Sequence, residues 1–260
     1  MRLGYRIKGI LCSWSPQKGH HRMRNTERGE GIEMISVAVD GPAGAGKSTI
    51  CRRAAQRLGF VYVDTGALYR AVGLYVLRQG ADPSNAQAVE RLLKGLTLDL
   101  RFEAGEQQVL LNGENVTGQI RTPEVSMAAS DVSAVPAVRE FLFETQGRLA
   151  REHNVVMDGR DIGTVVLPDA TVKIFLTAPL EVRAKRRLLE LEEKGQSVDF
   201  DTVYQEMEQR DYNDSHRSVA PLKQADDALL LDNGDLTLDE SVERMLAMIT
   251  EHAAGKEERV

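Results

Sequence analysis

Cysteine is nearly absent. Cys12 and Cys51 are the only two in 260 residues, too few to staple a chain of this size, so the core has to come from packing and the expected setting is a reducing cytoplasm. No apolar run approaches the roughly 20 residues that span a bilayer, so no membrane association is expected. Aromatic residues make up 5% of the chain, with a single Trp, Trp14. Basic excess is missing too: the net charge is −6. A polymeric nucleic acid partner, which needs a basic face to neutralise its phosphates, is not expected. What remains is 42% hydrophobic and 28% charged, enough for one sizeable core with small inserted modules.

The charge is unevenly spread. Residues 1–33 hold seven basic and three acidic residues, a local net of +4 that leaves −10 for the rest. They show no sustained helical or strand period and read as a basic extension, disordered or absent from the working protein. Met34 directly precedes the first clear strand, and translation starting there is one expectation; a transit peptide is the rival. Residues 253–260 read as a charged tail.

From residue 34 short apolar runs alternate with helical stretches, the pattern of a parallel sheet covered on both faces. The expected strands are Ile35–Asp40, Phe60–Asp64, Val155–Asp158, Val172–Thr177 and Ala228–Asp232, and four of the five end in Asp. Ligands of open α/β sheets bind at the carboxyl ends of the strands, so those acids should gather there. Leu96–Phe102 alternates apolar and polar residues, and Val109–Val116 continues past a turn at Ala104-Gly105-Glu106. The two predict an inserted antiparallel hairpin.

Between the first strand and a helical stretch, Thr49–Leu58, lies Gly41-Pro42-Ala43-Gly44-Ala45-Gly46-Lys47-Ser48, a match to G-x-x-x-x-G-K-[ST]. Glycines let successive backbone N–H groups converge on one anion, the helix amino terminus adds partial positive charge, Lys47 reaches the β- and γ-phosphates, and the Ser48 hydroxyl is a ligand for Mg²⁺. Gly41 to Ser48 together with Thr49 form the expected ATP site. Neither the Asn-Lys-x-Asp element of guanine-specific switches nor a transporter-type Ser-Gly-Gly signature follows.

Transfer to a second phosphate requires two polyanions to be neutralised together, which calls for arginines outside the loop. Four clusters supply them: Asp64 to Arg70 (DTGALYR), Asp158 to Asp161 (DGRD), Arg183 to Arg187 (RAKRR) and Arg210 to Arg217 (RDYNDSHR). Each has a plainer alternative. Arg70 can pair with Asp64, DGRD can be a turn with an internal ion pair, Arg186 can pair with Glu190 on a solvated helix, and Arg210, Asp214 and Arg217 can be a salt-bridge stripe on one helix face. His153 and His216 are expected to be structural or solvent-facing, since an ionised acceptor phosphate needs no general base.

With GPAGAGKS, DTGALYR, GQIRTPEVS, DGRDIGTVV, RAKRR and RDYNDSHRSVAPL in view, the chain from Ile35 to about Ile249 resembles the bacterial cytidylate kinases of the nucleoside monophosphate kinase group. The resemblance implies a five-stranded parallel α/β sheet with a core at 34–66, 152–180 and 215–252, a CMP-binding insertion at about 67–151 and a lid at about 183–210. It also implies Mg²⁺-dependent transfer from ATP to CMP or dCMP by a cytoplasmic monomer. Carried over residue by residue, Arg70, Arg160 and Arg217 clamp the acceptor phosphate, Ser130, Arg139 and Asp161 read the cytosine edge, and Arg210 and Asp214 approach the sugar. Thr65 stands in the same CMP site, where relatives often have Ser. Lys47, Asp158, Arg160 and, from the lid, Arg187 are the implied catalytic residues, with Arg183 and Arg186 as alternative lid arginines. The rivals are a kinase for another small acceptor and an ATP-dependent switch without transfer.

Overall fold

The computed structural model describes residues 34–103, 106–193 and 195–257. The expected basic extension at 1–33, the tip of the predicted turn at 104–105 and the end of the charged tail lie outside the described residues.

Five parallel strands form the main sheet: β1 (Ser36–Asp40), β2 (Val61–Asp64), β6 (Val155–Asp158), β7 (Val172–Thr177) and β8 (Leu229–Asp232), in the order β2-β6-β1-β7-β8. All five match the expected strands to within a residue. Side chains alternate between the faces, as the pleat demands. Val37, Val39, Tyr62 and Val156 pack with α1 (Lys47–Leu58) and α8 (Leu238–Glu257), whereas Ala38, Val63, Val155 and Met157 pack with Leu149 of α5 (Pro136–Glu152) and with Ile162 and Val166. Because β1 is central and its neighbours arrive late in the chain, the loop after it opens into the crevice where the strand order switches.

Helix α1 begins two residues earlier than the Thr49 start read from the sequence. Gly46 caps it at φ 83°, a left-handed conformation suited to glycine, so Lys47 and Ser48 already belong to the first turn. Their N–H groups are among those a helix start leaves without intrahelical partners. Gly41 is under a different constraint: a Cβ there would lie 1.9 Å from the Leu176 carbonyl oxygen, so the loop can follow this path only with glycine.

Between β2 and β6 the chain builds a second core. Helices α2 (Thr65–Arg78), α3 (Ala86–Leu93), α4 (Pro123–Ser133) and α5 bury Leu68, Val72, Val132 and Leu142 together with Leu98, Val109 and Leu111 of a small sheet. That sheet has three strands where the sequence predicts two. β3 (Leu98–Glu103) pairs with β4 (Glu106–Leu111), but the run to Val116 is broken at Asn112-Gly113, both at positive φ, and returns as β5 (Glu114–Asn115). Asn-Gly is the dipeptide that a tight hairpin turn selects, and its signal outweighs the apolar continuity on either side. Finally α6 (Leu180–Glu193) and α7 (Phe200–His216) pack on each other through a small cluster of Ala184, Val203 and Met207. Among the described residues no helix is long and apolar enough to cross a membrane.

Candidate active site

The acids at the strand ends do converge. Asp64 and Asp158 are in register on neighbouring strands β2 and β6. Both oxygens of Asp158 are engaged: Oδ2 accepts from the Ser48 hydroxyl at 3.0 Å and Oδ1 from the Tyr62 hydroxyl at 3.0 Å. Burial pushes the Asp158 carboxyl up to about 6, and the like charge of Asp64 adds to the shift while Lys47 and the two hydroxyls oppose it. Thr65, at the start of α2, donates its hydroxyl to the Asp158 carbonyl at 2.8 Å and so ties the two strand ends together.

Lys47 is only 7% exposed, and its Nζ donates to the carbonyls of Gly41 and Pro42 at 2.7 Å each. Burial, then the positive charge of Arg160, pushes it down to about 7. An ammonium held this way is short of counter-charge, and a triphosphate would supply it.

The arginines expected to clamp an acceptor phosphate are each held by a carboxylate. Arg70 Nη2 donates to Asp64 Oδ2 at 2.8 Å, the pairing anticipated as its plainer alternative, while Asp64 also caps α2 through the Ala67 N–H. Arg160 Nε donates to Asp214 Oδ2 at 2.7 Å. Asp161 receives Arg139 on one oxygen and Arg217 on the other, the latter at 3.2 Å. Burial raises its pKa against those two cations. Arg139 in turn lies over the ring of Tyr69 at 5.8 Å. Ser130 stands exposed on α4, one turn before Ser133, whose carbonyl accepts from Arg139.

Arg210 also belongs to this cleft. Its residue surface is open to solvent, yet desolvation of the guanidinium and the charges of Arg160, Arg70 and Arg187 lower its pKa. Three cations close enough to act on a fourth create a field that an isolated surface stripe lacks. Arg217 differs from the single-face helical spacing read from the sequence: α7 ends at His216, and Arg217 caps it in an extended conformation that turns its side chain to Asp161 and the Ala220 carbonyl. His216 stacks on Tyr212 and His153 lies exposed at the end of α5, neither within the cluster.

The RAKRR arginines separate by environment. Arg183 is 5% exposed and bridges the Ala178 carbonyl, the Ala43 carbonyl of the phosphate loop and Asp211 of α7. Arg186 does not form the anticipated pair with Glu190; its fork takes the side chain and backbone oxygens of Asn233, whose amide nitrogen bonds the Ala45 carbonyl. The pair with Glu190 is made by Arg187 at 3.1 Å, and the Arg187 side chain is 44% exposed. Helix phase decides this: Arg183 and Arg186 turn inward against the loop, and Arg187 stays half-exposed, near enough to act on Arg210. Arg183→Met is therefore expected to destabilise the fold by about 2–3 kcal/mol, because Asp211 and two carbonyls lose their partner. Arg187→Met should shift stability by less than about 0.5 kcal/mol. Urea unfolding midpoints of the two variants check the contrast.

Sequence reasoning missed Tyr62, Asn233, Asp211 and Gln107. The Gln107 side chain, from β4, both accepts from the Asp64 N–H and donates to the Asp64 carbonyl, pinning the small sheet to the end of β2. Only the Tyr within Val61-Tyr62-Val63-Asp64, a polar group in an apolar strand, carried a signal that could have found one of them.

A glycine-rich loop opening a helix, a strand-end carboxylate bonded to its Ser, and a cluster of arginines beside it define a P-loop phosphotransferase for a phosphorylated acceptor. Residues 37–251 match the sequence model of the cytidylate kinase family. A cytidylate kinase of Caldicellulosiruptor saccharolyticus is 50% identical over 217 residues, 84% of this chain and 96% of that protein. Those of Lactobacillus johnsonii and Pasteurella multocida are 48% and 45% identical, over 83% and 84% of this chain and 94% and 96% of their own length. The chain belongs to the cytidylate kinase family.

Proposed function

We propose that the protein transfers the γ-phosphoryl group of ATP to CMP or dCMP, giving ADP and CDP or dCDP, with residues 67–151 as the CMP-binding insertion and 183–210 as the lid. The observation that carries this is the convergence of Arg70, Arg160 and Arg187 on Arg210, with Arg160 also close enough to act on Lys47. Within the cleft internal oxygens hold these cations: Asp64 on Arg70, Asp214 on Arg160, Asp161 on Arg217, and loop carbonyls on Lys47. Substrate phosphates replace those oxygens. Arg70, Arg160 and Arg217 hold the acceptor phosphate, while Lys47 and Arg187 neutralise the transferring group. Gly41 to Thr49 bind the donor phosphates through their backbone, and Arg210 and Asp214 reach the sugar. Positioning and charge compensation carry the catalysis, and no proton abstraction by a side chain is required.

Cytosine offers an N4 amino group to Asp161 and acceptors at N3 and O2 to Arg139, with Ser130 alongside. Uracil would place an oxygen against the carboxylate, leaving polar groups unpaired. The hydroxyl of Ser48 and the carboxylate of Asp158 are hard oxygen donors at 3.0 Å from each other. They suit Mg²⁺, which prefers a few protein oxygens and keeps its waters. The ion would screen the phosphate charges when bound; Ser48 would ligate it and Asp158 would orient its waters. The acidic balance of the chain supports small-molecule substrates over polymeric ones, and we read the enzyme as a cytoplasmic monomer.

ADP formation measured with and without CMP tests the assignment. A rate that is low with ATP alone and strongly stimulated by CMP is expected, and CMP-independent hydrolysis would overturn it. Asp161→Ala should lower the ratio of kcat/KM for CMP over UMP by at least about tenfold.

A further inference from the structure

Asp40 is a buried carboxylate that none of these roles employs. It ends β1, immediately before Gly41, and is 5% exposed. Its oxygens accept two adjacent backbone N–H groups separately, Oδ1 from Ile162 at 2.8 Å and Oδ2 from Gly163 at 2.7 Å. The residue before it, Val39, accepts from the Gly159 N–H at 3.0 Å. The segment from Gly159 to Gly163 is thus pinned at both ends to the last two residues of β1. Displayed between the pins are Arg160 and Asp161.

Keeping a charge here works against burial, which pushes the Asp40 carboxyl up to about 6, and against the like charge of Asp161. The geometry supplies the compensation: only a carboxylate presents an unshared acceptor to each of two adjacent N–H groups. Gly163 is matched to it. A Cβ at that position would lie 3.4 Å from Asp40 Oδ2 and 3.2 Å from Lys173 Cδ, so a side chain there crowds the carboxylate.

We propose that Asp40 is a positioning residue for the acceptor site, fixing the loop that carries Arg160 and Asp161 to the strand that leads into the phosphate loop. Cytosine reading and donor binding are then set from one strand end, with no ligand touching Asp40 itself. This rests on the assignment of Asp161 to the cytosine edge.

Asp40→Asn keeps the shape and one acceptor but turns an amide N–H₂ toward the second backbone N–H. Steady-state ADP formation by the full chain should give a CMP KM raised about tenfold, a CMP over UMP preference lowered by a similar factor, and an ATP KM within about twofold of the parent. Equal rises in both KM values, or an unchanged CMP KM, would overturn the proposal. Gly163→Ala disturbs the same contact from the other side and should show the same split at about threefold, thermal melting of both variants confirming that they fold. If Asp40→Asn does not fold, Gly163→Ala decides alone. Asp161→Ala separates the two possible failures. A base preference unchanged in Asp161→Ala removes the reading of Asp161, whereas one that collapses there and holds in Asp40→Asn removes only the positioning role.

Discussion

Lys47→Ala is expected to lower kcat for CMP phosphorylation by about three orders of magnitude, since it removes the buried cation proposed to neutralise the transferring phosphoryl group. The size follows from the setting. Lys47 is almost fully enclosed, and among the described residues its Nζ has only the carbonyls of Gly41 and Pro42 as hydrogen-bond partners. Charge in such a place interacts strongly with any anion that enters, because little water intervenes. Its pKa, lowered by burial and by Arg160, also means that the folded state gives up stability to hold the charge. A folded pKa below the unfolded one makes a lysine's contribution unfavourable at pH values below the folded pKa, where both states are protonated. Removing the ammonium should therefore leave the thermal midpoint at neutral pH unchanged or higher. Loss of activity with a preserved midpoint is the expected pair of results, from coupled ADP-release kinetics and thermal melting. A retained kcat would remove Lys47 from the mechanism. Lys47→Arg should not rescue activity, since the planar fork cannot fit between Gly41 and Pro42 as the ammonium does.

What could be read from the chain without the fold was whatever is encoded locally. Each strand of the main sheet is a short apolar run with its own boundary, and the phosphate loop is contiguous, so Gly41 to Ser48 and the Asp residues at the strand ends stand out in the sequence. Arginine clusters stand out as well, but the environment of each member does not. Arg183, Arg186 and Arg187 differ only in which way α6 turns them, and that depends on packing against α7 and on Asn233, forty-seven residues after Arg186. The cross-strand neighbours are further out of reach. Nothing in Val155–Asp158 says that this strand inserts between β1 and β2. Without that order Tyr62 has no visible link to Asp158, nor Asp40 to Gly163, at separations of 96 and 123 residues. The broken strand at Asn112-Gly113 is the opposite case: its turn signal is local and legible, although the apolar run around it reads as one continuous strand.

Asp158→Asn is expected to separate stability from activity. The substitution preserves shape and keeps an oxygen for the Tyr62 hydroxyl, while the new amide donates to Ser48 where the carboxylate accepted. Only charge is lost. Without it the Ser48 hydroxyl, and the waters of a Mg²⁺ that Ser48 would ligate, would lose the anion that orients them, and kcat should fall by about 10²–10³-fold. Stability should move the other way at neutral pH. The folded pKa is raised from 3.8 to about 6, so across that interval the folded protein binds a proton that the unfolded chain has released. Stability from this group is full below the interval and is lost as pH rises through it, a cost of roughly 2–3 kcal/mol at pH 7. Part of the gain on neutralising it is offset because Lys47 loses a favourable neighbour. A melting midpoint about 3–6 °C above the parent is expected at pH 7. At pH 5, where the parent carboxyl is largely protonated, the gap should close. A midpoint below the parent at pH 7 would show that the carboxylate holds the fold together. A raised midpoint with low kcat would show that β6 carries Asp158 at the expense of stability because the reaction requires a charge at that point.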